Sequence, residues 1–275
     1  MTSATAPASR LPGPPGAPGA PLRIVYLANN RVGLAALELL RRDGTDIAGL
    51  VVHPADRQKH RAEIIAAAGV PADRIFDGST LRDPTVLARI AALGADLALS
   101  VFFGYLLRPD FLAAFRGNVL NLHPALLPYN RGAHPNVWSI VDGTPAGATL
   151  HYVDPGIDTG DIVAQAEVPV SAADTAATLY AKLEAASLDL LAATWPAIRA
   201  GTAPRTPQLT ASGTSHKVRD LAALDRIDLD RPTTARELIN LLRARSFPPH
   251  PGAYIDVNGQ RIYLRLELTA AADDD

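Results

Sequence analysis

The sequence predicts an α/β protein with a Rossmann-like, doubly wound and mostly parallel sheet, followed by a small C-terminal appendage of one helix and a β-hairpin. Short apolar runs rich in β-branched residues alternate with helical patterns of about 10 residues, as in β-α-β crossovers. These runs are apolar throughout, which is typical of strands that are covered on both faces. An Asn258-Gly259 pair between two further strand patterns is a strong signal for a hairpin.

Length and composition are those of a globular protein. Of 275 residues, 48% are hydrophobic and 20% are charged, which excludes a disordered, collagen-like or fibrous chain. A formal net charge of −2 and a pI near 6.4 argue against nucleic acid and anionic membranes as partners. The absence of cysteine excludes disulfides, thiolate metal sites and thiol nucleophiles. Since no apolar stretch approaches ~18 residues and no signal sequence is evident, we expect a cytoplasmic protein.

The elements of the main domain can be predicted in order. Residues 1–21 are rich in Pro, Gly and Ala, and we expect a disordered tail because they cannot bury enough apolar surface. The catalytic domain is expected over residues 22–200. It begins with the strand RIVYLA, a turn with two asparagines and the helix LAALELLRR. The strands DIAGLVV and ADLALSVFF and the helices HRAEIIAAAG and PTVLARIAALG continue the alternation.

The second half of this domain carries the polar loops. The strand NVLNLH over residues 118–123 leads into a segment broken by three prolines and a glycine, which predicts a loop at the carboxyl edge of the sheet. The strands ATLHYV and IVAQAEVPV follow, separated by the loop DPGIDTGD. A long helix is predicted over residues 173–195, and Pro196 is expected to kink or end it.

The C-terminal part predicts a second, smaller unit. Residues 201–215 have the turn-forming composition of a linker. Residues 216–270 are expected to form a small domain from the helix TARELINLLRARS and the strands AYIDV and RIYLRLEL. Because this unit has little core of its own, we expect it to pack on the main domain or on a second subunit. Residues 271–275 form an acidic tail.

Candidate catalytic groups concentrate at two places in the main domain. Asn121 and His123 lie two residues apart on a strand and therefore face the same side. An amide donor beside an imidazole suits stabilisation of an oxyanion together with proton transfer. Asp158 lies in a glycine-rich loop, and a carboxylate near His123 would orient the imidazole and stabilise its charged form. Taken alone, each of these residue types more often has a turn or hydrogen-bonding role than a catalytic one. No metal site is predicted, because the histidines are scattered.

Two longer stretches carry a resemblance to a known family. The sequences NLHPALLPYNRGAHPNVW, at residues 121–138, and DPGIDTGDIV, from Asp154, closely resemble the folate-dependent formyltransferases. This family includes methionyl-tRNA, glycinamide ribonucleotide and sugar N-formyltransferases, and the resemblance covers residues 22 to about 200. It implies that Asn121, His123 and Asp158 form the catalytic triad. It also implies N10-formyltetrahydrofolate as co-substrate and a primary amine as formyl acceptor.

The same resemblance implies where the two substrates bind. Contacts with the folate are expected near the backbone of Phe103, Gly104, Tyr105, Leu106, Val153, Gly156 and Ile157. Contacts with the acceptor are expected at Tyr129, Arg131 and Gly132. The chain departs from the family at two positions. Ala125 replaces a Ser that many members have outside the triad, and Asn130 stands where members acting on initiator tRNA usually have an aromatic residue.

The C-terminal region bears on the identity of the amine. Residues 206–275 hold nine Lys or Arg against ten Asp or Glu, a net formal charge of −1, so they offer no electrostatic footprint for tRNA. The stretch from Ile227 to Leu268 is similar to the tail of sugar N-formyltransferases, which implies a nucleotide-linked amino sugar as acceptor and a homodimer. Arg243 and Arg245 are expected either to meet a pyrophosphate or to form a solvated helix face.

Other functions remain open at this point. A methionyl-tRNA formyltransferase, or a formyltransferase acting on another small metabolite amine, would use the same triad. A formyltetrahydrofolate hydrolase would replace the amine by water, and it would consume the donor without an acceptor. A non-catalytic folate-binding module would keep the triad without turnover.

Overall fold

The computed structural model of the protein describes residues 21–57 and 59–269. The predicted N-terminal tail, apart from Pro21, and the predicted acidic tail lie outside the described residues. The strands are β1 (Arg23–Ala28), β2 (Asp46–Val52), β3 (Ile75–Asp77), β4 (Leu97–Val101), β5 (Val119–His123), β6 (Arg131–Gly132), β7 (Ala146–Tyr152), β8 (Ile162–Val168), β9 (Ser215–His216), β10 (Ala253–Val257) and β11 (Gln260–Leu264).

Helices connect most of these strands. The α-helices are α1 (Arg31–Arg42), α2 (Arg61–Ala68), α3 (Pro84–Ala91), α4 (Pro109–Ala114), α5 (Pro135–Val141), α6 (Ala176–Arg199) and α7 (Ala235–Ala244). Short 3-10 helices occur at Ala72–Arg74, Gly78–Thr80, Thr210–Ser212 and Val218–Leu224. None of the helices between residues 21 and 269 has the length and hydropathy needed to cross a bilayer.

The central sheet has the strand order β3-β2-β1-β4-β5-β7-β8. The five strands from β3 to β5 are mutually parallel, whereas β7 runs antiparallel to β5. The order reverses between β1 and β4, as it does in a doubly wound sheet. The predicted α/β fold with a parallel-dominated sheet is therefore confirmed.

The C-terminal hairpin is also confirmed. Strands β10 and β11 pair antiparallel, with Val257 opposite Gln260. Asn258 and Gly259 form the turn with φ angles of 49° and 79°. Two consecutive residues with positive φ suit a two-residue hairpin turn, which explains the Asn-Gly pair at this position.

Helix α6 continues past the proline that was expected to kink or end it. Pro196 lies inside the helix, which runs on to Arg199. A proline inside a helix costs about 3 kcal/mol, because it lacks an N–H donor and its ring crowds the carbonyl of the fourth preceding residue. The last turns of α6 are anchored by Trp195, which is buried and donates a hydrogen bond from Nε1 to Thr45 Oγ1 at 3.0 Å. Burial of this ring offsets the cost of the proline.

Contacts divide the chain into two compact units. The first unit consists of Met1–His123, Thr149–Gln165 and Ser187–Gln208, and the second of Pro124–Ala148, Ala166–Ala186 and Leu209–Asp275. In the first unit a core forms around Phe103, Phe111 and Phe115. In the second, Val137 of α5 and Ala244 of α7 belong to a separate core. Both units are discontinuous in sequence, because the chain passes between them repeatedly.

Two arginines at the C-terminal end of α7, Arg243 and Arg245, bond to the protein itself. Arg243 donates from Nη1 to the carbonyl oxygens of Ser171 at 2.8 Å and Ala172 at 3.1 Å. Arg245 forms an ion pair with Asp225, with 2.5 Å between Nη2 and Oδ1. These contacts favour a structural role for both arginines over contact with a pyrophosphate.

Candidate active site

The candidate site lies on one face of the β5-β7 pair. Asn121 and His123 are the third and fifth residues of β5, and the antiparallel register places His151 opposite Asn121 and Thr149 opposite His123. Directly opposed residues of an antiparallel pair share a face, with Cβ atoms about 5 Å apart. Four polar side chains therefore line a single face of two otherwise apolar strands.

Asp158 completes this cluster from the loop between β7 and β8. Its Oδ2 lies 3.6 Å from His123 Nε2, and its Oδ1 lies 3.6 Å from His151 Nε2. The carboxylate thus contacts both imidazoles with different oxygens. All three side chains are largely buried, so charges here interact more strongly than they would at the surface. The structure brings the predicted triad together, and its catalytic role stays a prediction.

His151 is the residue of this cluster that the sequence reasoning missed. It is 1% exposed, and its Nδ1 lies 2.7 Å from the carbonyl oxygen of Tyr152. Because a carbonyl only accepts hydrogen bonds, Nδ1 carries a proton. In the sequence, His151 is one polar residue within an apolar strand, and only the pairing of β5 with β7 shows that it faces Asn121.

The hydrogen bond between His151 and Asn121 sets the orientation of the Asn121 amide. Asn121 Nδ2 lies 3.2 Å from His151 Nε2, and Nε2 can accept this hydrogen bond when it carries no proton. The amide nitrogen therefore points toward His151 and donates one of its two hydrogens there. The second N–H of Asn121 is available for an oxygen of a bound substrate, which is the geometry that oxyanion stabilisation needs.

The backbone of the loop 154–160 is tightly folded. Asp158 itself has a φ of 51°, which is uncommon for a residue other than glycine. Asp154 Oδ1 accepts hydrogen bonds from Gly156 N at 3.0 Å and from Thr159 Oγ1 at 2.7 Å. A Cβ at Gly160 would lie 1.9 Å from the carbonyl oxygen of Tyr152, so only glycine fits there. The glycines of this motif thus allow the loop to pack closely against the end of β7.

The predicted folate-binding residues also belong to the first unit. Phe103 is buried in the core of this unit, and Tyr105 and Val153 pack against that core. Leu106 and Ile157 are instead 71% and 45% exposed, so they offer apolar surface on the two loops. Contact of these residues with folate stays a prediction.

His53, at the end of β2, contacts the first of these loops and was not singled out from the sequence. Its Nε2 donates a hydrogen bond to the carbonyl oxygen of Phe103. The imidazole also packs edge-on against the rings of Phe103 and Tyr105, with centroids 5.0 and 4.6 Å away. Burial lowers the pKa of His53, which favours the neutral form of its ring.

The predicted acceptor-binding residues Tyr129, Arg131 and Gly132 belong to the second unit. Between them, Asn130 is 1% exposed, has a φ of 55°, and donates from Nδ2 to Ser139 Oγ at 2.9 Å and Thr144 Oγ1 at 2.8 Å. Strand β6, which consists of Arg131 and Gly132, pairs in parallel with β9. A buried amide and a short strand pair hold this segment, and its role toward an acceptor stays a prediction.

No group of three or more His, Cys, Asp or Glu side chains within the described ranges is arranged to hold a metal ion. Asn121 can donate a hydrogen bond to a developing oxyanion, and His123 can exchange a proton with a nucleophile. Asp158 can stabilise positive charge on an imidazole.

Comparisons with known proteins assign these motifs to a family. A family model described as "Formyl transferase" matches residues 29–194, which include the whole cluster. A second, described as "N-formyltransferase dimerization C-terminal domain", matches residues 220–270. A curated methionyl-tRNA formyltransferase from Latilactobacillus sakei subsp. sakei is 32% identical over 259 residues, which cover 92% of this chain and 80% of the relative.

Two solved structures are similar over most of the chain. A 4-N formyltransferase from Francisella tularensis is 27% identical with a TM-score of 0.77, covering 91% of this chain and 99% of that chain. A formyltransferase from Anoxybacillus kamchatkensis, solved in complex with UDP-4,6-dideoxy-4-formamido-L-AltNAc and tetrahydrofolate, is 27% identical with a TM-score of 0.53, covering 73% and 88% of the two chains. Since the family model matches more than half of the chain, this protein belongs to the formyl transferase family and is a formyl-transferring enzyme.

Proposed function

We propose that the protein transfers the formyl group of N10-formyltetrahydrofolate to the primary amine of a nucleotide-linked amino sugar. The observation that carries the chemistry is the buried cluster in which Asp158 contacts both His123 and His151 while His151 orients the Asn121 amide. This cluster has an oxyanion donor, a proton acceptor and a charge-stabilising carboxylate. These groups suit direct transfer of the formyl group from donor to amine, without a covalent enzyme intermediate.

In the proposed reaction, the unprotonated amine attacks the formyl carbon and a new C–N bond forms. The carbonyl oxygen becomes an oxyanion, which the free N–H of Asn121 and the charged form of His123 stabilise. His123 accepts a proton from the amine, and Asp158 stabilises the resulting imidazolium. The bond between the formyl carbon and N10 then breaks, the proton passes to N10, and tetrahydrofolate leaves.

Two observations support the folate as donor. The loops that begin at Phe103 and Val153 lie in the same unit as the catalytic cluster and carry exposed apolar side chains. The similar formyltransferase from Anoxybacillus kamchatkensis was solved with tetrahydrofolate bound. We propose that the backbone of these two loops binds the pterin and that Leu106 and Ile157 cover it.

The nature of the acceptor rests on different evidence. The same Anoxybacillus structure holds a UDP-linked 4-formamido sugar, which is the product of formylation of an amino sugar. The net formal charge of −1 over residues 206–275 also fits a small acceptor better than a tRNA. We therefore propose a nucleotide-linked amino sugar, held in part by Tyr129, Arg131 and Gly132.

A methionyl-tRNA is the second candidate acceptor. The observation in its favour is that the Latilactobacillus relative, which aligns with 92% of this chain, is a methionyl-tRNA formyltransferase. Both candidates use the same donor and the same cluster. They differ in the acceptor surface, which a substrate panel can test directly.

The test incubates the purified protein with N10-formyltetrahydrofolate and one acceptor at a time, and follows tetrahydrofolate by absorbance. The panel contains UDP- and dTDP-linked 3-amino and 4-amino sugars, methionyl-tRNA and buffer alone. We expect turnover with at least one amino sugar, a formamide product by mass spectrometry, and loss of turnover in His123→Asn. Turnover with methionyl-tRNA alone would replace the proposed acceptor, and donor consumption in buffer alone would indicate a hydrolase.

The domain organisation and the assembly belong to the same proposal. We propose a catalytic domain over residues 22–200, a linker over 201–215 and a small C-terminal domain over 216–270. The family model that matches residues 220–270 describes a dimerization domain, and Ile262 and Tyr263 of β11 are 40% and 50% exposed. Pairing of two such hairpins would bury these apolar side chains in a homodimer.

A further inference from the structure

The segment that the sequence predicts as a linker runs beside the loop that carries Asp158. Thr206 and Ile162 exchange two backbone hydrogen bonds, of 2.9 Å from Thr206 N and 2.7 Å from Ile162 N. Arg205 Nε lies 2.6 Å from Asp161 Oδ2 in an ion pair. Two consecutive residues of this segment are therefore attached to two consecutive residues at the start of β8.

Gln208 extends this attachment onto the catalytic loop itself. Its Nε2 lies 3.1 Å from the carbonyl oxygen of Asp158 and 3.0 Å from that of Gly160. Carbonyl oxygens only accept, so both hydrogens of the amide are used and its orientation is settled. Gln208 thereby holds the backbone on both sides of Thr159.

The backbone at this point needs such support. Asp158 adopts a φ of 51°, a conformation that costs a non-glycine residue energy and persists only when the surroundings hold it. Its carboxylate must also remain 3.6 Å from each of two imidazoles. A rotation of the peptide beyond Asp158 would break the bond to Gln208 and release the backbone that carries the carboxylate.

We propose that Gln208, anchored by Arg205 and Thr206, is a positioning residue for Asp158 in the formyl-transfer reaction. It touches no reacting atom and acts through the backbone of the loop. The proposal rests on the proposed function for its kinetic consequence, whereas its structural consequence can be measured without substrate. It assigns the segment 205–208 a role in catalysis beyond that of a connection between domains.

The experiment compares Gln208→Met, which keeps the length of the side chain but removes both donors, with Gln208→Glu. Gln260→Glu, at an exposed position of the hairpin, controls for the added charge. We expect Gln208→Met to lower kcat by about 10- to 100-fold, because displacement of a catalytic group slows a reaction by about this factor. The KM for both substrates should stay within about twofold of wild type. The activity of Gln208→Glu relative to wild type should rise as the pH falls. A protonated carboxyl group can donate one of the two hydrogen bonds to the loop, whereas a carboxylate can donate neither.

Hydrogen exchange measured by mass spectrometry gives a readout that is independent of activity. Gln208→Met should raise exchange in peptides covering residues 154–162 while peptides from β1 and β2 stay at wild-type protection. A kcat within about twofold of wild type, or unchanged exchange in 154–162, would overturn the proposal. If Gln208→Met does not fold, the pH dependence of Gln208→Glu tests the proposal instead. A ratio of Gln208→Glu kcat to wild-type kcat that stays constant with pH would contradict the positioning role. If wild type itself shows no turnover, the proposed function fails while the exchange result still judges the positioning.

Discussion

At the scale of single residues, one backbone hydrogen bond determines what the Asn121 amide can do. His151 donates from Nδ1 to the Tyr152 carbonyl, and its Nε2 can then accept from Asn121 whenever Nε2 carries no proton. The amide would otherwise be free to rotate and present its oxygen to the substrate, which would repel an oxyanion. His151 therefore acts as a positioning residue, and Asn121 is the candidate oxyanion donor.

This assignment predicts the effect of His151→Phe. The variant keeps an aromatic ring but removes the acceptor, so the Asn121 amide is no longer held. We expect kcat to fall by about 10- to 100-fold, which approaches the loss seen when an oxyanion donor is removed. Steady-state kinetics measures this fall in kcat, and His60→Phe, at a half-exposed position, is the control. Unchanged kcat in His151→Phe would show that Asn121 is oriented by other contacts.

At the scale of elements, hydrogen bonds at the start of α6 stabilise the second unit. Asp174 is buried just before this helix and accepts hydrogen bonds from Ser171 N at 2.6 Å and Thr178 Oγ1 at 3.0 Å. Lys182 Nζ also donates a hydrogen bond to Asp174 Oδ2 at 2.7 Å. Burial by itself would raise the pKa of Asp174, but the bonds from Lys182, Ser171 and Thr178 together lower it below the ordinary value of 3.8.

A pH-dependent loss of stability follows for Asp174→Asn. Because the pKa is lower in the folded than in the unfolded protein, the charged carboxylate stabilises the fold above pH 3.8, and this contribution is lost as the pH falls through the folded pKa. We expect the variant to lower the free energy of unfolding by about 1–2 kcal/mol at pH 7, discounted for the solvent exposure of Lys182, and by less at pH 3. Urea denaturation at both pH values measures this.

The control for this experiment is Asp189→Asn on the exposed face of α6. A surface substitution of this kind changes stability by no more than about 0.5 kcal/mol. If Asp174→Asn destabilises the protein equally at pH 7 and pH 3, the effect arises from packing rather than from the charge.

At the scale of the whole molecule, the described chain forms two compact units and presents an exposed apolar hairpin. Ile262 and Tyr263 extend from β11, where Tyr263 packs edge-on against Tyr254 at 5.8 Å. A two-stranded hairpin alone is marginally stable in water. Ile262 and Tyr263 are consecutive, so they lie on opposite faces of the hairpin, and a second copy that buried either face would stabilise both the hairpin and the assembly.

The proposed homodimer predicts a mass of twice 29.0 kDa by size-exclusion chromatography with light scattering. Tyr263→Glu should shift the protein toward the monomer, because it places a charge in the proposed interface. Val218→Glu, at a position 72% exposed and outside the matched dimerization domain, serves as the control. A wild-type monomer at micromolar concentration, or a Tyr263→Glu dimer as stable as wild type, would contradict the proposed interface.

The parts of the fold that could be predicted are those encoded in neighbouring residues. The apolar runs predicted β1, β2 and β4 because strands covered on both faces need apolar residues at every position. Asn258-Gly259 predicted the hairpin because the turn itself needs two positive φ angles. The three-residue β3 and the two-residue β6 and β9 were missed, since such short strands have no periodicity and exist only through their partners.

The candidate site likewise has residues that the sequence predicts and residues that only the folded structure brings to it. The sequence alone determined the family and predicted Asn121, His123 and Asp158 as catalytic residues, because each motif is contiguous and its resemblance to formyltransferases is specific. Only the tertiary structure placed His151 against Asn121 and Gln208 against Asp158, which are 30 and 50 residues apart. A single histidine in an apolar strand and a glutamine in a turn-rich segment carry no local signal. Their roles arise from strand register and loop packing, which a chain acquires only when it folds.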